Sequence, residues 1–258
     1  MDFDGQTDMG GVQQAFLTTH WSLIEDARSP EEDKNGALIG LLLEWYWKPV
    51  YCYLRRKGYH NEEAKDLTQD FFHEVVLGHH LIDKADPAKG RFRSFLLLAL
   101  NRYLINRHAE ETAQKRIPKG KLASLDMTDE PPDSYLSASA LTPEDTFTHV
   151  WVSALLERVL AEVESSCHKD GKSVHWDLFN ERILEPIMKD VDAPSMDDLC
   201  HKYGIAGKIK ASNMIVTVKR RLQTVFREHL RDSVMTEEAL CDELAEIKRF
   251  LPELAQYP

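Results

Sequence analysis

The stretch Lys210–Arg231, "KASNMIVTVKRRLQTVFREHLR", decides how this chain is read. Placed around a helix at about 100° per residue, Ile215, Val218, Leu222, Val225, Phe226 and Leu230 share one face. Asn213, Thr217, Arg220, Thr224, Arg227 and Arg231 line the opposite one. The spacing predicts one long amphipathic helix, apolar toward a core and basic toward a partner. Those outward residue types suit the phosphates and base edges of duplex DNA. Upstream, "SMDDLCHKYGI" (Ser195–Ile205) predicts a short helix ended by Gly204, with Leu199 and Ile205 as core candidates. Short helix, glycine turn and long basic helix follow in the order of a helix-turn-helix. The plainer alternative is a solvated arginine-rich face.

The chain carrying this helix is acidic, with 258 residues and a formal net charge of −11. The acid is segregated. Residues 1–35 hold 8 acids and 2 bases, residues 122–165 hold 9 and 1, and residues 233–258 hold 6 and 2. Residues 36–121 hold 15 bases against 10 acids, and residues 166–232 hold 12 against 10. A DNA-binding protein needs a local basic face to displace phosphate counterions, not a positive total, so the net charge does not exclude that role. The longest strongly apolar run, Phe95–Leu100, is far short of a membrane span. The polar, acidic start "MDFDGQTDMGG" lacks the pattern of a signal or transit peptide. Cys52, Cys167, Cys200 and Cys241 are widely spaced and form no Cys-x-x-Cys pair, as expected of reduced thiols in a cytoplasmic protein.

The pattern elsewhere is helical, and the expected fold class is all-α, two helical domains joined by a flexible linker. Gly36–Lys57 predicts a first helix, bent or broken at Pro49 and ended by Gly58. Asn61 is the expected N-cap of a second, "EEAKDLTQDFFHEVV", with glutamates in its first turn. Its pattern turns Ala64, Leu67, Phe71 and Val75 inward and Glu62, Glu63, Asp66, Gln69, Asp70 and His73 outward. "DPAKG" (Asp86–Gly90) is turn chemistry. A third helix, "RFRSFLLLALNRYLINRHAEETAQKR", is apolar nearly all round in "FRSFLLLAL", which predicts burial there. Beyond it Asn101, Arg102, Asn106, Arg107, His108, Lys115 and Arg116 are interleaved with Tyr103, a mixture suited to unstacked single-stranded bases. Residues 117–142 hold Pro131–Pro132 and several serines without apolar period, and read as the linker. Thr142-Pro143-Glu144 predicts an N-cap with proline at the first helical position, opening a helix to about Cys167. Helices are expected near His175–Met188 and Ser195–Tyr203, and an acidic amphipathic helix after Met235.

Catalytic signatures are weak. Asp70-x-x-His73 is half of a di-metal helix-bundle motif, but the sequence offers no second copy and both side chains are expected outward. His79-His80 and Cys167-His168 lack partners at ligand spacing. A Gly-rich phosphate loop and a Gly-x-Ser-x-Gly elbow are both missing from the sequence. Neither an enzyme nor a cofactor is expected.

Taken in order, these pieces resemble the two-domain, extracytoplasmic-function type of bacterial RNA polymerase sigma factor. "EEAKDLTQDFFHEVV" is similar to the family's polymerase-binding helix. "GRFRSFLLLALNRYLINRHAEETAQKR" is similar to the adjoining segment that melts and reads the −10 promoter element. "ASNMIVTVKRRLQTVFREHLR" resembles the recognition helix that reads the −35 element. "FLTTHWSLI" near the start and the "ASNxxVTxKR" pattern resemble a divergent, planctomycete-like branch. The resemblance covers about residues 16–116 and 143–252. Ala206–Lys210, "AGKIK", is an insertion before the recognition helix relative to typical members, and the acidic segment 235–258 is additional.

What the resemblance implies is a DNA-binding transcription initiation factor without bond chemistry of its own. Residues 36–116 would bind core RNA polymerase and the −10 element, and residues 143–234 would bind the −35 element. Glu63, Asp66, Leu67, Gln69, Asp70, Phe72 and His73 would meet the polymerase. Asn101, Arg102, Asn106, Arg107, His108, Lys115 and Arg116 would hold the displaced strand. Asn213, Thr217, Arg220 and Thr224 would enter the −35 major groove, while Lys219, Arg221, Arg227 and Arg231 favour phosphates or the groove edge. The partners implied are core polymerase and promoter DNA, with an anti-sigma factor as a further candidate and no membrane. The rival readings are a polymerase-independent helix-turn-helix regulator and a metal-dependent helical enzyme.

Overall fold

The computed structural model describes residues 32–78, 81–86, 91–114, 141–231 and 236–249. Among them every regular element is a helix. The all-α class therefore stands.

Helix α1 (Glu32–Arg56) buries Leu42, Trp45, Tyr46, Val50, Tyr53 and Leu54, the three-and-four spacing of a single apolar stripe. It runs unbroken through Pro49, where a bend or break was expected. An interior proline costs about 3 kcal/mol, but Pro49 lies buried between Tyr46 and Val50. Burying each large apolar side chain contributes roughly 1.5–3 kcal/mol, so the stripe offsets the proline. Gly58 ends the helix as expected, at φ 99°, with Tyr59 N–H donating to Leu54 and Gly58 N–H to Arg55.

Helix α2 (Asn61–Asp70) continues into a π-helical stretch, Phe71–Gly78. Asn61 is not its cap. His60 precedes the helix with extended backbone, and the Asn61 side-chain oxygen instead accepts the Tyr51 hydroxyl at 2.8 Å. A short helix α3 (Leu81–Lys84) precedes α4 (Phe92–Gln114). The turn expected at 86–90 falls, beyond Asp86, outside the described residues.

Helix α5 (Pro143–Lys169) opens as its sequence predicts. Thr142 caps it by accepting from Asp145 N–H at 3.0 Å, and Pro143 takes the first helical position. Helix α6 (Ser173–Phe179) passes through a π-helical turn (Asn180–Leu184) into α7 (Glu185–Lys189). Then come α8 (Met196–Lys202), α9 (Lys208–Arg231) and α10 (Glu237–Lys248).

The main packing is α1 along α5, with α9 laid on α5 and α6. Tyr46 stacks near-parallel to Phe147 at 6.3 Å, and the Arg158 guanidinium sits 3.5 Å from the Trp45 ring centre. Arg56 Nε donates to the Leu141 carbonyl at 2.9 Å, fastening the end of α1 to the entry of α5. One buried apolar cluster runs from Leu42 to Ile247. The segments on either side of 117–142 thus lie in contact; residues 115–140 of that region are outside the described residues. No described helix is long and apolar enough to cross a membrane.

Candidate nucleic-acid interface

Helix α9 has the two faces its spacing predicts. Ile215, Val218, Val225 and Leu230 are buried, and Leu222 and Phe226 pack partly against the same core. Ala211 and His229 are buried beside them, and His229 Nε2 lies 2.8 Å from Glu162 Oε2 of α5. On the opposite face Asn213, Arg220, Thr224, Arg227 and Arg231 are exposed and Thr217 is half-exposed. The Thr217 and Thr224 hydroxyls donate to the carbonyls of Asn213 and Arg220. These bonds spend each hydroxyl's one proton and leave its oxygen free to accept.

The approach to this helix is tightly built. Ser195 caps α8 through Asp198 N–H at 3.2 Å. Gly204, at φ 63°, closes α8 while Ile205 N–H reaches back to Cys200 at 2.9 Å. Lys202 and the Tyr203 hydroxyl both meet Glu181 Oε1, at 2.6 and 2.5 Å. Lys208 pairs with Asp197 at 2.7 Å across the turn. The connection is Tyr203–Gly207, and α9 begins at Lys208. Lys208, Ile209 and Lys210 of the "AGKIK" stretch therefore belong to the helix rather than to the turn.

Two basic residues of α9 point away from the exposed face. Arg221 donates to Ser166 Oγ at 2.9 Å and to Asp170 Oδ2 at 2.5 Å at the end of α5. Its hydrogen bond and charge hold the Asp170 carboxyl below its usual range. Lys219 is half-buried, and that burial lowers its pKa.

In the first half, Glu63, Asp66, Gln69 and His73 are exposed on α2 and its extension. Leu67 and Phe72 are buried, Phe72 edge-on to Phe71 at 5.6 Å, so they support that face from beneath. Asp70 is half-buried and accepts from Arg107 at 2.7 Å.

On α4, Arg102, Asn106 and His108 are exposed. Asn101 is engaged inside: its oxygen accepts the Tyr53 hydroxyl at 2.6 Å and Lys57 Nζ at 3.2 Å, and its amide donates to Leu97 at 3.2 Å. Tyr103 is buried and meets Arg107, which removes it as a surface for stacking bases. Lys115 and Arg116 lie outside the described residues.

The expectation that "FRSFLLLAL" is buried needs correcting: Ser94 and Leu98 are exposed, and Phe95, Leu97 and Ala99 are only partly buried. Leu98 is 49% exposed and Ile105 is 68% exposed. With Arg102 they form a stripe at four- and three-residue spacing, an apolar–basic face absent from the candidate set. A nearly all-apolar run hides which of its residues will face solvent.

A second group escaped the sequence reading. Arg91 and Arg93, at the start of α4, meet Glu243 and Glu246 of α10. Arg91 Nε is 2.6 Å from Glu243 Oε2, and Arg93 Nη2 is 2.8 Å from Glu246 Oε2. Arg93 Nη1 bonds Glu243 and Arg91 Nη1 bonds Glu246. The Arg93 guanidinium also lies 4.9 Å from the Trp151 ring centre. Burial pushes the Glu243 carboxyl up, against the pull of both arginines, and pushes Arg93 down.

The described residues include no group of three or more His, Cys, Asp or Glu side chains able to hold a metal ion. The four cysteines are free thiols, with Cys241 exposed. Comparison with protein-family models, with curated proteins and with solved structures gives no match for the chain.

Proposed function

We propose that this protein is a sigma-type transcription initiation factor acting in the cytoplasm. The observation that carries the reading is the outer face of α9. Asn213, Thr217, Arg220, Thr224 and Arg227 stand in one row on a 24-residue helix, behind a short capped helix and a braced turn. Neither Arg220 nor Arg227 pairs with a described carboxylate. Asn213 and Arg220 suit bidentate contacts to base edges, and Arg227 and Arg231 suit phosphates. Arg221 is withdrawn from the DNA-contact set, because it is spent on Asp170 and Ser166.

In this reading Glu63, Asp66, Gln69 and His73, with Asp70, dock on core polymerase. The stripe Leu98, Arg102 and Ile105, flanked by Asn106 and His108, receives the displaced −10 strand. Apolar side chains wedge between unstacked bases while the arginine meets phosphate.

In vitro transcription with bacterial core RNA polymerase and a promoter pool tests this. The expected outcome is initiation from promoters sharing paired elements, dependent on both proteins. Absence of promoter-dependent transcripts, together with sequence-specific duplex binding by the chain alone, would establish the polymerase-independent regulator instead.

A further inference from the structure

Helix α10 is acidic, and its inward carboxylates are seated on a pair of arginines 150 residues earlier in the chain. Glu243 is 2% exposed and Arg93 is 5% exposed, so the central pair has been withdrawn from water. Removing two ions from water costs several kcal/mol each, and their attraction repays that only in good geometry. The geometry here is mixed. Arg93 Nη2 is at ion-pair distance from Glu246 Oε2, and Glu243 Oε2 from Arg91 Nε, yet neither Arg93 Nη2 nor Glu243 Oε2 makes a hydrogen bond. Apart from this cluster, α10 is anchored by few large buried apolar residues, among them Leu240 and Ile247. With Leu244 these residues seat α10 on the common core, and the ion cluster is the part of that seat an anionic competitor can replace.

What lies beneath it is suited to another anion. Arg91 and Arg93 stand at the first turn of α4, where the helix dipole adds to their charge. The Trp151 ring lies within cation–π range of the Arg93 guanidinium. The exposed stripe Leu98–Arg102–Ile105 continues along the same helix.

We propose that Arg91 and Arg93 form a phosphate site for single-stranded DNA backbone, and that Glu243 and Glu246 of α10 occupy it as carboxylate stand-ins until the strand displaces them. The acidic helix is thus a built-in competitor for the strand that α4 receives. This rests on the promoter-binding reading of α4, and it adds both a contact and a regulator to it. The acidity of the C-terminal segment then acts on a defined pair of arginines.

Fluorescence anisotropy of the full-length chain with labelled oligothymidine, titrated over a range of salt, tests the idea. The E243Q/E246Q chain should bind more tightly than the parent. Its plot of log affinity against log salt should steepen by about 1.4, from about 0.7 per released counterion on a single strand and two phosphates. The control E238Q/D242N removes two charges from exposed positions of the same helix and should show neither change. In R91Q/R93Q/E243Q/E246Q the gain should vanish. A gain of equal size in the control, a gain that survives without the arginines, or no gain at all would each overturn the site. Should E243Q/E246Q lose its helical ellipticity, E246Q alone gives the same comparison on the partly exposed pair, with the gain abolished in R91Q/E246Q. A chain that initiates transcription but shows no gain refutes this inference alone. One that shows the gain but initiates nothing refutes the promoter reading and leaves the arginine site standing.

Discussion

Arg107 of α4 donates to the Asp70 carboxylate at the end of α2, at 2.7 Å, and to the Tyr103 hydroxyl at 2.5 Å. Burial works to lower the Arg107 pKa, but the hydrogen bonds with Asp70 and Tyr103 dominate and raise it. The guanidinium is therefore committed to this bridge. It joins the surface assigned to the polymerase with the helix assigned to the melted strand. A substitution at either end reaches both.

That coupling shapes the test of docking. Asp66 is exposed with no described partner role, so Asp66→Ala isolates docking from the bridge. Asp66→Ala with Asp70→Ala should reduce retention on immobilised core polymerase by about tenfold or more, about 1.4 kcal/mol. The Asp70–Arg107 pair is partly exposed, so its loss should cost less than about 1 kcal/mol of stability. Undiminished retention of the double variant would remove this face from the polymerase contact.

Arg220 and Arg221 are neighbours with opposite fates. Arg220→Ala should lower the preference of holoenzyme for a matched over a scrambled −35 duplex by about 1–3 kcal/mol, while leaving core binding intact. Arg221→Ala should lower the melting temperature, through the lost contacts to Ser166 and Asp170, with that preference unchanged. Footprinting and thermal denaturation of both variants separate the roles. An unchanged matched-to-scrambled ratio in Arg220→Ala would take Arg220 out of base reading.

On the promoter reading proposed above, the packing of α1 on α5 predicts a conformational step. The two promoter elements are named for positions about 25 base pairs apart, or about 85 Å at roughly 3.4 Å per pair. A compact chain of 258 residues has a radius of gyration of about 18 Å, too small to reach both at once. Dyes at Glu110→Cys and Gln223→Cys, with Cys200 and Cys241 changed to serine, should move apart when holoenzyme binds promoter. An unaltered transfer efficiency would mean that the two halves do not separate.

Stability should also fall in mild acid. Burial lowers the pKa of His149, and burial followed by Lys172 and Arg221 lowers that of His175. The unfolded chain, with histidines near about 6.5, then binds more protons than the folded one. Stability therefore rises with pH through the window just below about 6.5 and is lost as pH falls through it. Urea unfolding at a series of pH values should show this slope, and H149Q/H175Q should flatten it.

Local pattern carried most of the secondary structure. The faces of α9, the Thr142 cap and the Gly58 and Gly204 stops follow from spacing and from residue chemistry acting within about five positions. Pro49 and Asn61 departed from the local rule because tertiary partners won: a buried stripe at one, the Tyr51 hydroxyl at the other. The site residues divided in the same way. Exposure of Arg220 and Arg227 could be read from helical periodicity. Withdrawal of Arg221, Asn101 and Tyr103 could not, since each is engaged by residues on another turn or another helix.

Spacing along the chain decided that the described residues are helical, where α1 and α8 stop and α5 opens, and which face of α9 is apolar, because those properties are set by 3.6-residue periodicity and nearby capping groups. Only folding decided that Arg91 and Arg93 would meet Glu243 and Glu246. Four charges separated by 150 residues carry no mark of one another in sequence. Charge is long-ranged but unspecific, and it becomes a defined contact only when packed helices fix the distance and remove the water.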